Sequence, residues 1–262
     1  MTKNKTLAVV LCVVFALVLV VALGHSIFSV GQVELVAHTT TNHLSSLNES
    51  TVLSSSKLNK GKSVFLLDRQ DYIDNLERNQ PYIKVLALEV AWPNTVKFHF
   101  AEREELFAIA LNDDAYVYVD EDFKVLRVVN SGFVSTQQNP ILVGNVLDVD
   151  SAQINAGDFL DKDKFFDYLG LSEAYKALGY TIGDMRSMLN NVSVATNTDG
   201  DLLSINTYLG VKINILNAGY YTSQKVDLAY QMLETLTAAE RSKGTIYVFK
   251  NSQNVLESMY AE

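Results

Sequence analysis

The sequence predicts an α+β protein held at a membrane by a single N-terminal transmembrane helix, with two domains on the far side. Three observations carry this expectation. An apolar run without charges lies near the N-terminus, a strand, helix, helix, strand, strand order follows it, and the rest of the chain is richer in strand signals than in helical ones. The expected organisation is a cytoplasmic tail (1–5), a transmembrane helix (6–28), a first compact domain (29–104), a mixed strand-rich domain (105–250) and a C-terminal tail (251–262).

From Leu7 to Gly24 the sequence reads LAVVLCVVFALVLVVALG, and the uncharged stretch continues through Phe28. At about 1.5 Å per residue a helix of this length crosses a hydrocarbon core of roughly 30 Å. Lys3 and Lys5 precede the run, and the next lysine or arginine is Lys57. The positive-inside rule therefore puts the N-terminus in the cytoplasm and the bulk of the chain outside. Ala22-Leu23-Gly24 is similar to a cleavage site, which leaves a cleaved signal peptide as the alternative; the run is longer than the roughly 7–15 residues of a signal-peptide core. The one cysteine, Cys12, falls inside the run, so the exported part forms no disulfide and is stabilised by packing alone, as suits a bacterial envelope. The net charge of −9 argues against binding nucleic acid or anionic headgroups.

Gln32 to His38 alternates as a short strand. Thr39 to Ser56 is rich in Thr, Ser and Asn; Leu44, Leu47, Val52 and Leu58 leave both a linker and a short helix from Asn48 open. Asp68 is a good N-cap for a helix carrying Tyr72, Ile73 and Leu76 inward, which Pro81 stops. Ile83 to Trp92 and Thr95 to Ala101 form a hairpin across Pro93-Asn94, with Val96, Phe98 and Phe100 on one face and Lys97 and His99 on the other.

This order matches the POTRA fold. Gly61 with Phe65-Leu66-Leu67-Asp68, Pro81-Tyr82-Ile83-Lys84, Trp92-Pro93-Asn94-Thr95 and Glu102-Arg103 together resemble the POTRA domain of the FtsQ/DivIB family of bacterial cell-division proteins. The resemblance is strong from about Val33 to Val125 and dilute beyond.

After Glu105, Leu106 to Leu111, Ala115 to Val119 and Val125 to Val129 are strand-like runs parted by Asn112-Asp113-Asp114 and Asp120-Glu121-Asp122. Helical stretches follow at Lys162 to Leu178 and Ile182 to Leu189. Val192 to Ala195, Leu202 to Tyr208 and Val211 to Leu216 are further strands. A helix is expected from Ser223 to about Lys243, with Val226, Tyr230, Leu233 and Leu236 on one face and Gly244 as its stop. The last strand is Thr245 to Lys250, and the polar remainder reads as a frayed tail or helix. The resemblance implies that this second region is the family's β domain.

A catalytic constellation is not expected. All four histidines lie at or before His99, no His or Cys cluster has metal-ligand spacing, and no nucleophile elbow or phosphate loop occurs. The acid clusters Asp113/Asp114, Asp120/Glu121/Asp122, Asp161/Asp163 and Asp199/Asp201 read as turns and caps, against a hydrolase or calcium alternative. The protein is thus expected to be no enzyme and to use no cofactor or metal. The last strand, Thr245, Ile246, Tyr247, Val248, Phe249 and Lys250, is the candidate partner site: Tyr247 and Phe249 alternate with Ile246 and Val248, so both faces are apolar or aromatic. That fits either a strand covered by its own domain or an edge that accepts a partner strand. The resemblance favours the edge, and implies a septal scaffold that binds FtsB/DivIC- and FtsL-like proteins outside the membrane. A POTRA-type chaperone or assembly module for exported polypeptides is the alternative.

Overall fold

The structure, a computed structural model, describes residues 11–19, 24, 27–39, 44, 47–130, 133, 136, 139–197, 200–220 and 222–262. Residues 11–19 are helical, with Leu11, Val13, Val14, Phe15, Leu17, Val18 and Leu19 all exposed. The expected tail (1–5) and most of the rest of the expected transmembrane helix lie outside the described residues. Among the described residues, no helix is long and apolar enough to cross a membrane. The chain divides into two compact units, Met1–Arg103 and Glu104–Glu262.

The first unit contains β1 (Gln32–Ala37), α1 (Glu49–Ser56), α2 (Arg69–Asn79), β2 (Ile83–Ala91) and β3 (Thr95–Glu102). Its sheet has the order β1-β3-β2, with β1 parallel and β2 antiparallel to β3. The ambiguous stretch before Lys57 thus includes a helix. Asn48 caps it, accepting from the Thr51 N–H at 3.0 Å. Its Ser- and Thr-rich sequence is a weak helix former, so packing sustains it. Val52 is buried, and Asn79 and Gln80 of the next helix donate to the Ser55 carbonyl and hydroxyl at 2.8 and 3.1 Å. Asp68 caps α2 as expected, and Tyr72 and Leu76 enter the core opposite Val96, Phe98 and Phe100. Strand β2 shifts register between Val85 and Ala87, which turns Leu86 outward. Glu77 fixes that irregularity: it accepts from the Val85 N–H at 2.7 Å and pairs with Arg103 at 2.9 Å, while Arg103 Nε donates to the Ile83 carbonyl at 3.1 Å.

The second unit is built on nine strands: β4 (Phe107–Leu111), β5 (Tyr116–Val119), β6 (Val125–Val129), β7 (Ile141–Leu147), β8 (Leu189–Asn197), β9 (Gly200–Thr207), β10 (Lys212–Leu216), β11 (Thr245–Lys250) and β12 (Leu256–Ala261). They form one sheet in the order β12-β11-β10-β9-β8-β7-β4-β5-β6. Helices α3 (Phe166–Ala177), α4 (Ile182–Met188), α5 (Thr222–Thr235) and α6 (Ala238–Arg241) complete the unit. Strand β7, parallel to both β4 and β8, is absent from the sequence reading. Its outward Gly144 and Asn145 dilute the apolar pattern.

Two expectations are corrected here. The helix expected from Ser223 to Lys243 is interrupted after Thr235. Thr237 opens a new capping box with Glu240, and the Arg241 guanidinium satisfies the carbonyls of Glu234 and Leu236 at 2.9 and 3.1 Å. The expected C-terminal tail contains β12, paired antiparallel to β11 along its whole length.

Candidate partner-binding edge

The six residues singled out in the sequence form β11, but β11 is an interior strand. It pairs in parallel with β10 and antiparallel with β12, so both of its main-chain edges are occupied. The expectation that Thr245–Lys250 is itself the open edge is therefore corrected. An added strand would meet β12 instead. The first alternative, a strand covered by its own domain, holds for one face only: Ile246 and Val248 are fully buried beneath Val226, Ala229 and Leu233 of α5.

The other face differs in character along the sheet. Over β8 to β10 it is polar: Asn206 donates to Asn191 at 2.5 Å, and the Ser204 hydroxyl donates to Asn214 at 2.8 Å. At the end of the sheet it becomes more apolar, because Tyr247 pairs with Met259 across the β11–β12 ladder, although Phe249 stands opposite the exposed Glu257. Tyr247 and Phe249 are partly exposed and Met259 is 51% exposed. Among the described residues no strand pairs with the outer edge of β12, which thus borders an aromatic and thioether strip.

Local chemistry holds β12 in place. Asn251 accepts from the N–H groups of Gln253 and Val255 at 2.9 and 3.0 Å, and Asn254 takes the left-handed conformation that the turn demands. Gly244, at φ +77°, lets β12 close against the start of β11: a Cβ there would lie 2.7 Å from the Ala261 carbonyl. Tyr260 donates to the carbonyls of Glu240 and Lys243, each at 3.3 Å, and Lys243 pairs with Glu262. Burial raises the Tyr260 phenol above its ordinary range, with Glu262 and Glu240 adding to it.

The acid clusters serve as caps and turns. Asp113 accepts from Ser151, and that hydrogen bond holds its carboxyl below the usual range. Asp120 closes its turn on the N–H groups of Asp122 and Lys124, Asp161 caps the helical turn at Asp163, and Asp201 accepts from Thr196 at 2.8 Å. Asp199 lies outside the described residues. His99 sits between His38 (3.1 Å) and Glu89 (3.3 Å) on the outer face of the first sheet. Among the described residues no three His, Cys, Asp or Glu side chains converge to hold a metal ion.

Comparison with known proteins bears on the first unit. Residues 39–103 match the family described as POTRA domain, FtsQ-type. The resemblance to the FtsQ/DivIB family is borne out. Among curated proteins, the Cell division protein DivIB of Clostridium acetobutylicum is 29% identical over 82 residues, covering 31% of this chain and 32% of that protein. The chain thus matches about a third of that relative's length. For the FtsQ-type POTRA unit, the match ends at the structural boundary: Arg103, its last residue, closes the sheet through Glu77.

Proposed function

We propose that the chain is a non-enzymatic scaffold of bacterial cell division. It is anchored by one helix over residues 6–28, with its N-terminus in the cytoplasm and both units outside the membrane at the septum. In this reading it holds FtsB/DivIC- and FtsL-like proteins and so coordinates septum formation with septal wall synthesis. The FtsQ-type POTRA match and the DivIB relative support the division role. The observation that carries the binding role is the open edge of β12 beside Tyr247, Phe249 and Met259.

A partner strand adding to β12 completes a ladder of main-chain hydrogen bonds, each contributing about 0.5–1.5 kcal/mol net. Such a ladder is sequence-blind, and ordering the incoming segment opposes it. Selectivity then falls to the apolar strip, which takes alternate side chains of the added strand. No bond is made or broken. The β11 residues Thr245 to Lys250 act as the inner wall of the site, with Tyr247 and Phe249 as its contacts.

The test is binding of the full chain in lipid nanodiscs to FtsB/DivIC- and FtsL-like partners. Tyr247→Lys, Phe249→Asp and Met259→Asp are expected to weaken saturable binding by about tenfold or more, a loss of roughly 1.4 kcal/mol, with circular dichroism unchanged. Binding that all three variants leave intact removes the site from this edge. Absence of binding to either partner, together with capture of an unfolded exported polypeptide, favours the chaperone alternative.

A further inference from the structure

Three aromatic side chains from distant parts of the first unit meet at its surface. The ring centroids of Phe28, Phe65 and Trp92 lie 5.5 Å (Phe28–Phe65), 5.6 Å (Phe28–Trp92) and 5.0 Å (Phe65–Trp92) apart. They do not form a core. Phe65 is 63% exposed, Trp92 60%, and the adjoining Leu66 and Ile27 are 77% and 49% exposed. Single exposed apolar residues are ordinary on a folded protein, but a contiguous group of this kind marks a surface that something covers.

The backbone builds the group deliberately. The Val64 N–H bonds the Phe28 carbonyl at 2.9 Å, the Val30 N–H bonds the Lys62 carbonyl at 2.8 Å, and the Gly31 N–H bonds the Asn94 carbonyl at 2.8 Å. The chain leaving the apolar run is thereby tied to the loop bearing Phe65 and to the β2–β3 turn bearing Trp92. In the short 3-10 turn at Val64–Leu66, Val64 points into the core while Phe65 and Leu66 face out.

We propose that this patch is a membrane-interface surface, by which the first unit lies against the lipid headgroup layer. The inference rests on the anchor reading above. A helix over residues 7–28 would rise about 33 Å at 1.5 Å per residue, close to the roughly 30 Å hydrocarbon thickness. Phe28, the end of that run, is itself a member of the cluster and so falls at the boundary where aromatic side chains concentrate. The flanking sequence agrees. Residues 50–67 contain Lys57, Lys60 and Lys62 and no acid, a local exception to the acidic exported part. Lys60 is paired with Glu49 at 2.7 Å, and Lys62 bonds the Tyr72 hydroxyl at 2.5 Å. Apolar insertion is accordingly the main attraction and the lysines a supplement.

Trp92 is the chain's single tryptophan, so its fluorescence reads this patch alone. The full chain is reconstituted into phosphatidylcholine–phosphatidylglycerol vesicles and floated in carbonate; lipids brominated near the headgroup end of the acyl chain then serve as quenchers. Trp92 is expected to lose about half its emission or more to these lipids and less to lipids brominated near the chain terminus, as befits insertion of roughly 5–10 Å. It is also expected to resist aqueous iodide. A Phe65→Asp/Leu66→Asp variant, altered only at exposed side chains, is expected to lose the quenching while keeping its circular dichroism. Vesicle-bound chain whose Trp92 is open to iodide overturns the proposal and spares the anchor. Trp92 shielded from iodide yet unquenched by bromolipid overturns it in favour of a protein cover. Chain that does not float overturns anchor and patch together.

Discussion

Replacing Gly244 by alanine tests whether the edge strand is held as described. The residue sits at φ +77°, where an L side chain carries a penalty of about 1–2 kcal/mol. Its new Cβ would lie 2.7 Å from the Ala261 carbonyl oxygen and 2.6 Å from the Tyr260 hydroxyl. The Tyr260 side chain can swing away, but the Ala261 contact is with backbone and falls 0.7 Å short of the 3.4 Å of ordinary contact. Relieving it adds about 1–3 kcal/mol, and the whole perturbation comes to about 2–5 kcal/mol. Because β12 is an edge strand, local detachment is the cheapest relief, so the loss is expected there before it reaches the whole unit. Hydrogen exchange at residues 256–261 is the assay. At 1.4 kcal/mol per decade, exchange should quicken by about 30- to 4000-fold in Gly244→Ala, with the β8–β9 amides far less affected. If β12 is the docking edge, partner binding falls with it. Unchanged β12 protection, with unfolding stability within about 0.5 kcal/mol of wild type, would refute the reasoning.

Two further outcomes follow from buried charge. Glu77→Ala removes the carboxylate 2.9 Å from the Arg103 side chain, 4% exposed, and the acceptor of the Val85 N–H, so the first unit should lose about 3–5 kcal/mol in urea unfolding. Glu77→Gln, which retains an acceptor, should lose less, and equal losses would refute the role given to the hydrogen bond. In alkali, Lys225 and the buried tyrosines act in opposite senses. Burial, reinforced by Lys250 and opposed by Asp167, pushes the Lys225 ammonium down to about 8, against roughly 10.4 in an unfolded chain. Between those values the unfolded state binds more protons, so stability rises with pH. Above about pH 10 the sign reverses: burial raises the phenols of Tyr168, Tyr175 and Tyr230, and the folded state then holds the extra protons. Thermal unfolding across this range should show a rise followed by a fall. A Lys225→Met variant that keeps the rising limb would show that another group causes it.

Much of the first unit is legible in the sequence because local and tertiary signals coincide there. Val96, Phe98 and Phe100 alternate as a half-buried strand should, and Asp68 caps the helix that Pro81 ends. The helix at Glu49–Ser56 is only half legible: its cap is in the sequence, but its stability comes from Val52 and from Asn79 and Gln80, more than twenty residues away. Strand β7 is hidden for a related reason. Its pairing with β4 and β8 is long-range, and Gly144 and Asn145 break its pattern. The break before Thr237 was readable in principle, since Thr237 and Glu240 stand at capping-box spacing, but the apolar stripe Val226, Tyr230, Leu233, Leu236 runs straight through it.

The candidate site shows why composition alone does not identify an edge strand. Thr245 to Lys250 stands out because both faces are apolar, and a strand apolar on both faces is one that neighbours cover. In β11 only the Ile246/Val248 face is covered, and its interior position comes from main-chain pairing with β10 and β12. An edge strand has the opposite requirement: it must not invite unwanted pairing, so it carries charge and polarity among its apolar residues. Leu256-Glu257-Ser258-Met259-Tyr260-Ala261 has this character, and its polar look is what makes it read as a tail. The turn signal was present in Asn251 and Asn254, whose hydrogen bonds and left-handed backbone reverse the chain. Selectivity and accessibility are thus divided between two strands. In the proposed site Phe249 and Tyr247 of β11 would supply the aromatic contacts, while β12 would supply the main-chain edge and Met259.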